Sequence, residues 1–351
     1  MTETSASRPA AELNLPPSGL SAIRPVDMWH LLPWVGALAF YFLVPPGFHT
    51  LGTNVLIMIL FTLSLDLALG YAGIITLGHA AFFGAGAYCA GILVVNVTPD
   101  PLLGLLLATL LAGALGVLTG MLILHTHGVA MFMLTLAIAS MFYEVANQWR
   151  SMTGGDDGLT VPRPTPILAY FGFEGFRFDF AGRTAYLYCL AVLFVWFVIA
   201  WRIVKSPFGR SLDGIRQNPR RMRAIGTPVW WRLVAMYGIS CAMAGTAGAL
   251  QAHSIRLVGL TTLELQLSGI VAVMLVLGGE RRLYGAFIGA AFYVLVHDWA
   301  AAINPFYWMF VIGGLLVAVV LFLEGGLMSL IDKINGLFTK KKPQEARGER
   351  K

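Results

Sequence analysis

Long apolar blocks with almost no charge follow one another from about residue 30 to residue 324, and that pattern limits what this chain can become. A helix needs about 20 apolar residues to cross the ~30 Å hydrocarbon layer of a membrane. By that measure the blocks read as ten spans, at roughly 30–45, 51–69, 74–95, 102–124, 128–148, 184–203, 233–252, 264–278, 284–303 and 306–324. Hydrophobic residues make up 57% of the chain and charged ones only 12%, about half the charge of a soluble domain. The expected fold is an all-α polytopic transmembrane bundle, because a helix satisfies its own backbone polar groups in lipid. The third span is rich in glycine and the eighth is short, so the pattern leaves both open as continuous, broken or re-entrant.

Basic residues orient the bundle. With ten spans both termini share a side, and 19 of the 24 Lys and Arg fall in the tails and loops of that side. The other five are Arg150, Arg163, Arg177, Arg183 and Arg256. Positive charge concentrates in the cytoplasm, so the expectation is N-in and C-in. A polar cytoplasmic tail (1–29), a transmembrane domain (30–327) and a basic cytoplasmic tail (328–351) follow from this. The first apolar stretch begins near Leu31 and runs at span length, so it reads as an uncleaved helix and not a signal peptide. The net charge of +6 is placed as a topology signal and not as a nucleic-acid surface. Cys89, Cys189 and Cys241 lie inside apolar segments and read as small hydrophobes.

Two loops exceed the ~12–15 residues beyond which loops are usually functional or disordered: an outside loop at 150–183 and an inside loop at 203–231. The inside loop contains KSPFGRSLDGIRQNPRRMRAIG, Lys205 to Gly226. Ser206-Pro207 is a helix start, Asn218-Pro219 an interruption and Gly226 a stop. Leu212, Ile215, Met222 and Ile225 supply apolar points among arginines. Two uses fit: a topology determinant lying on anionic lipid, or a coupling helix whose apolar teeth enter a groove on a cytoplasmic ATPase.

Other positions carry candidate chemistry. Gly70, Gly73, Gly78, Gly84 and Gly86 suit close helix packing or a kinked segment along a pathway. Asp66 and His79 flank this region at the inner ends of their spans, where water is expected to reach them. Glu144, Glu264 and Asp298 fall near outer ends, either as solvated interfacial groups or as a polar patch on a pathway. Gly154-Gly155 before Asp156-Asp157 predicts an exposed acidic turn, suited to a cation, a helix cap or a basic partner.

The inside loop resembles that of branched-chain amino acid permeases of the LivM type, from ABC importers, at Ser206, Pro207, Phe208, Gly209, Arg210, Ile215, Arg216, Asn218 and Gly226. GYAGIITLGHAAFFGAGAY, Gly70 to Tyr88, is similar to the family's G-x-x-G-x-x-S-L-G-H-A-A-F-F-G-x-G-A-Y. MLTLAIASM with TGGDDGL, between Met133 and Leu159, resembles a further block. LGGERRLYGAFIGAA, from Leu277, is a looser match to G-G-x-G-T-x-x-G-P-x-x-G-A: Gly278, Gly279, Gly285 and Gly289 agree, while Arg281, Arg282 and Ala286 depart.

This resemblance implies an importer permease, with the loop residues just named coupling to two cytoplasmic ATPase subunits. It implies a LivH-type permease as second half of the pathway and an extracytoplasmic solute-binding protein. Pathway or gate candidates are then Gly73, Gly78, His79, Phe82, Phe83, Gly84 and Glu144. Docking candidates are Gly154, Gly155, Asp156 and Asp157. The chain carries no G-x-x-x-x-G-K-[ST] segment, so it is expected to be no enzyme and to hold no cofactor, with ATP used by partner subunits. Branched-chain amino acids, urea and short amides are the solutes the resemblance allows. The alternative is an ion-driven secondary transporter, which needs carboxylates near the midplane. A membrane enzyme is weaker, because His125 and His127 lack a third ligand.

Overall fold

A computed structural model describes residues 32–43, 46–126, 128–162 and 182–303, with isolated positions between 309 and 329. The chain divides into two units, the first ending at Phe42. The first contributes one described helix, α1 (Leu32–Leu43).

The second unit is a helical bundle. Its helices are α2 (His49–Leu65), α3 (His79–Asn96), α4 (Pro101–Ile123), α5 (Val129–Gln148), the single turn α6 (Arg150–Thr153) and α7 (Arg183–Lys205). After these come α8 (Pro207–Gln217), α9 (Pro219–Ala224), α10 (Val229–Ile255), α11 (Leu265–Gly278) and α12 (Leu283–Ile303). Among the described residues, seven helices are long and apolar enough to cross a membrane, with α2 extended by its π-helical end. The expected tenth span, 306–324, lies mainly outside the described residues.

Small residues set the core. The buried face of α4 is Gly104, Ala108, Ala112, Gly116 and Gly120, one every four residues, which is one stripe of a helix. Against it lies α10. A Cβ at Gly116 would sit 2.8 Å from Cys241 Sγ, and one at Gly120 2.9 Å from the Tyr237 ring. Thr109 and Thr246 exchange a hydroxyl hydrogen bond of 2.8 Å across the pair. Helix α3 crosses α10 as closely: a Cβ at Gly86 would fall 2.6 Å from the carbonyl carbon of Gly245. With no hydrophobic drive between helices in lipid, such close approach is how they hold together. Gly245, Thr246 and Gly248 therefore serve packing.

The expected third span is broken, whereas the eighth is one short continuous helix, α11, with irregular chain ahead of it. Helix α2 ends in a π-helical segment, Asp66–Tyr71, and α3 begins only at His79, so residues 74–78 of the expected third span are not helical. Backbone donors there find partners within the protein, Ile74 N–H donating to Ala68 O (2.9 Å) and Gly78 N–H to Thr76 Oγ1 (3.2 Å), and in the first turn of α3 Ala80 N–H donates to Ser268 Oγ (2.9 Å). Before α11 the chain runs through strand β2 (Leu257–Val258) and a 3-10 turn, Leu260–Thr262. Leu263 packs against Gly84. Irregular backbone at such depth is tolerated only where protein surrounds it.

Connections sort to two sides. On one, the α2–α3 break, the α11–α12 turn and α8 touch one another. On the other, strand β1 (Leu159–Thr160) pairs antiparallel with β2, Leu159 opposite Val258, and Val161 N–H donates to Arg256 O at 2.9 Å. The arginine-rich connection lies on the first side, which fits its cytoplasmic assignment.

Candidate functional site

The inside loop folds into α8 and α9 as its punctuation predicts. Ser206 caps α8, its Oγ accepting from Gly209 N–H at 3.2 Å with Pro207 as first helical residue. Asn218 caps α9 the same way, accepting from Arg221 N–H at 3.0 Å ahead of Pro219. Gly226 adopts φ +82; its N–H donates to Arg223 O and Thr227 N–H reaches back to Met222 O. This paired closure requires a left-handed residue, hence glycine. Gly209 has a separate reason: a Cβ there would meet Val204 backbone at 2.8 Å, where α8 folds back on α7.

Two of the four apolar teeth point the other way from expectation. Leu212 is 0% and Ile215 2% exposed, both turned into the membrane unit. Amphipathic α8 hides its apolar face in its own protein because that surface is nearest. What remains outward is basic: Arg210, Arg220, Arg221 and Arg223 are exposed, with Ile225 and half-buried Phe208. Arg216 turns inward. Its guanidinium donates to Gly70 O and pairs with Glu280 at 3.6 Å, and its Cγ lies 3.0 Å from where a Gly73 Cβ would be. Gly73 has φ +73, so it is required both for the bend and for room beneath Arg216.

A knot of polar contacts ties α8 to two other connections. Asp66 is fully buried in the π segment, and its Oδ1 accepts from Arg281 N–H at 2.9 Å. A side chain at Gly70 would strike that carboxylate. Tyr71 Oη donates to Arg281 O at 2.9 Å, and the Arg281 guanidinium pairs with Asp213 on α8. Arg281 has φ +64, a left-handed conformation that costs a non-glycine residue about 1–2 kcal/mol. It stands where the resembled pattern carries glycine. That departure was the one signal in the sequence for this knot.

His79, expected near water, is fully buried at the start of α3. Its Nε2 lies 2.9 Å from Ser64 Oγ and 3.5 Å from Ser240 Oγ, and Ser240 Oγ donates to Ser64 O at 2.5 Å. The imidazole stacks on Phe61 at 5.7 Å, so it joins α2, α3 and α10. Phe82 and Phe83 are equally buried, Phe82 edge-on to Tyr237 and Phe83 stacked on Phe61. Gly78 faces Thr135 O of α5 and Gly84 faces Leu263.

Glu144 lies elsewhere. Along α5, Met133, Ala137, Ser140, Glu144 and Gln148 form one exposed face, with Gln148 Nε2 donating to Glu144 Oε1 at 3.0 Å. Open space flanks this helix at both ends. An apolar cavity of about 870 Å³ separates its outer half from α4, lined by Leu107, Leu111, Met141 and Val145 among others. A second, of about 560 Å³, lies between its first turn, the α2–α3 break and Arg216 and Arg223.

On the opposite side Gly154, Gly155, Asp156 and Asp157 follow α5 in a tight turn. Gly154 and Gly155 have φ +78 and +59, and a 3-10 turn over 155–157 leaves both aspartates exposed. Thr153 Oγ1 anchors the turn by donating to Ala146 O at 2.6 Å. The ribbon of β1 and β2 holds its far end. The rest of the outside loop, 163–181, lies outside the described residues.

Residues 48–320 match the profile of the family described as branched-chain amino acid transport system / permease component. The high-affinity branched-chain amino acid transport system permease proteins LivM of Salmonella typhimurium and of Escherichia coli K12 are each 28% identical over 312 residues, covering 84% of this chain and 73% of theirs. The autoinducer 2 import system permease protein LsrC of Photorhabdus laumondii is 28% identical over 141 residues, covering 38% of this chain and 42% of its own. No solved structure matches the chain.

Proposed function

Because this chain belongs to the branched-chain amino acid transport permease family, we propose that it is one permease subunit of an ATP-driven importer in the bacterial inner membrane. It shares the pathway with a second, homologous permease and takes branched-chain amino acids or a related small solute from a binding protein. The observation that carries this is the α8–α9 unit: two side-chain-capped helices, with the apolar face of α8 seated in the membrane unit and Arg210, Arg220, Arg221 and Arg223 outward. A loop that only marked topology would need neither the two caps nor the buried face. Two ATPase subunits supply the energy, and their closure pushes on this module.

The pathway runs along α5. Ser140, Glu144 and Gln148 make the outer half of this exposed face polar, which suits contact with water or the second permease and not with lipid. The flanking cavities give α5 room to move. Asp156 and Asp157 present charge to basic groups of the binding protein. Glu144→Cys in the assembled complex is expected to react with a membrane-impermeant maleimide, faster in one nucleotide state than another. Absence of labelling in every state removes α5 from the pathway.

The test of assembly is co-purification with the neighbouring ATPase and permease subunits, followed by ATP hydrolysis with and without binding protein. The intact chain is expected to give a complex with binding-protein-stimulated hydrolysis. The R210A/R220A/R221A variant is expected to lose ATPase subunits on the column, and D156K/D157K to keep them while losing stimulation at least about ten-fold, two rim charges costing ~0.7 kcal/mol each. Leucine uptake by the chain alone on an ion gradient, without ATP, contradicts the importer and supports the secondary transporter.

A further inference from the structure

Two connections with no chain link between them meet through charge on the cytoplasmic side. Asp213 of α8 pairs with Arg281, and Arg216 of α8 pairs with Glu280 at 3.6 Å, both partners belonging to the α11–α12 turn. That turn is held from behind as well. Arg281 N–H donates to buried Asp66 at 2.9 Å, Arg281 O accepts from Tyr71 Oη at 2.9 Å, and Arg216 reaches Gly70 O in the same π segment.

Stability alone does not account for this arrangement. The side chains of both ion pairs are 31–44% exposed, and pairs of that kind contribute little to folding. Arg281 is at φ +64, where a bulky residue is disfavoured and persists only if its surroundings over-determine it. A contact that adds little and is held against backbone preference fits a role in transmitting motion. We propose that Arg281 is a positioning residue for transport, clamping coupling helix α8 to the α11–α12 turn and the π segment of α2. A push on α8 then carries α11 and α12 along with α2; without the Asp213–Arg281 pair, α8 holds that turn only through Arg216 and Glu280.

This rests on the coupling role proposed above, and one experiment separates the two. The full complex is reconstituted in liposomes, and leucine taken up per ATP hydrolysed is measured beside the melting temperature. If the intact complex shows neither ATP-driven leucine uptake nor ATP hydrolysis stimulated by its binding protein, the importer reading fails and the clamp with it. Otherwise D213N and R281G are each expected to raise ATP consumed per leucine about five-fold, the low end of ordinary coupling free energies. R281G removes the left-handed strain, so it is expected to melt no lower than the parent chain. The D213R/R281D exchange is expected to return the ratio to within about two-fold, since it restores the pair with opposite sign. Unchanged ratios in both single variants, ratios that only follow a fall in melting temperature, or an exchange that fails to restore coupling would each overturn the clamp while leaving the importer standing. Asp213 is partly exposed and outside every helix crossing, so D213N remains informative should R281G fail to accumulate.

Discussion

Gly86→Val is expected to lower the melting temperature of the protein in detergent by at least about 5 °C. A valine Cβ at this position would lie 2.5 Å from Gly245 Cα and 2.6 Å from its carbonyl carbon. Both are backbone, so no rotamer change makes room. Helices α3 and α10 would have to part, opening the packing that includes Tyr237, Phe82 and the Thr109–Thr246 bond. Overpacking costs at least about 3 kcal/mol when only backbone can yield, a melting shift of roughly 5–10 °C for a large domain. Gly269→Ala is the matched control. Nothing lies within 4 Å of that Cβ, and alanine gains ~0.5–1 kcal/mol over glycine in a helix interior. Fluorescence-detected size-exclusion profiles after heating separate the two, and equal loss in both would show that α3 and α10 do not cross there.

The second large effect is expected at Leu212, which is 0% exposed on α8. Leu212→Asp places a carboxylate in an apolar seat at a cost of several kcal/mol, more than the seat contributes by burying one leucine, about 2 kcal/mol. Helix α8 is therefore expected to leave its site while the spans remain folded. Trypsin should then cut at Arg216, now engaged with Gly70 and Glu280, at least about ten-fold faster, a ten-fold change answering to 1.4 kcal/mol. ATP-driven transport should fall below detection in the same preparation. Leu212→Met keeps volume and polarity and should stay within about two-fold of the parent chain. Unchanged proteolysis in the aspartate variant would mean that α8 is not held by its apolar face.

Much of this was legible in residue order, and the limits have physical reasons. Span-length apolarity located α2, α4, α5, α7, α10 and α12, because a hydrocarbon slab imposes one length on every crossing. The caps at Ser206 and Asn218 and the stop at Gly226 are local chemistry, readable within four residues. Glycine marked the third span as one that could break, but the position at 72–78 was not readable, since Ile74, Ile75 and Leu77 are as apolar as any helical stretch. Its course is set by the fold around it: Ile74 N–H turns back to Ala68 O, and the Arg216 stem lies beneath Gly73. The direction of the α8 teeth depended on which surface lay closer, which periodicity does not contain. Partners of Arg281 lie 68 and 215 residues away, so the departure at 280–282 showed where to look and not what would be found. Among the candidate sites, the coupling residues form one unit, whereas His79, Phe82 and Phe83 lie deep in helix packing, away from the exposed face of Glu144.

The break at membrane depth also bears on how the chain is made. The first turn of α3, just after the break at 72–78, leaves donors without partners in the helix, and the helix's contacts are distant: Ala80 N–H donates to Ser268 Oγ, and Gly84 packs against Leu263. Helix α3 therefore cannot settle when it first leaves the ribosome. It must be sheltered through the synthesis of nearly two hundred residues, until α11 arrives, and the first half of the chain reaches its final form only after the second half has entered the bilayer.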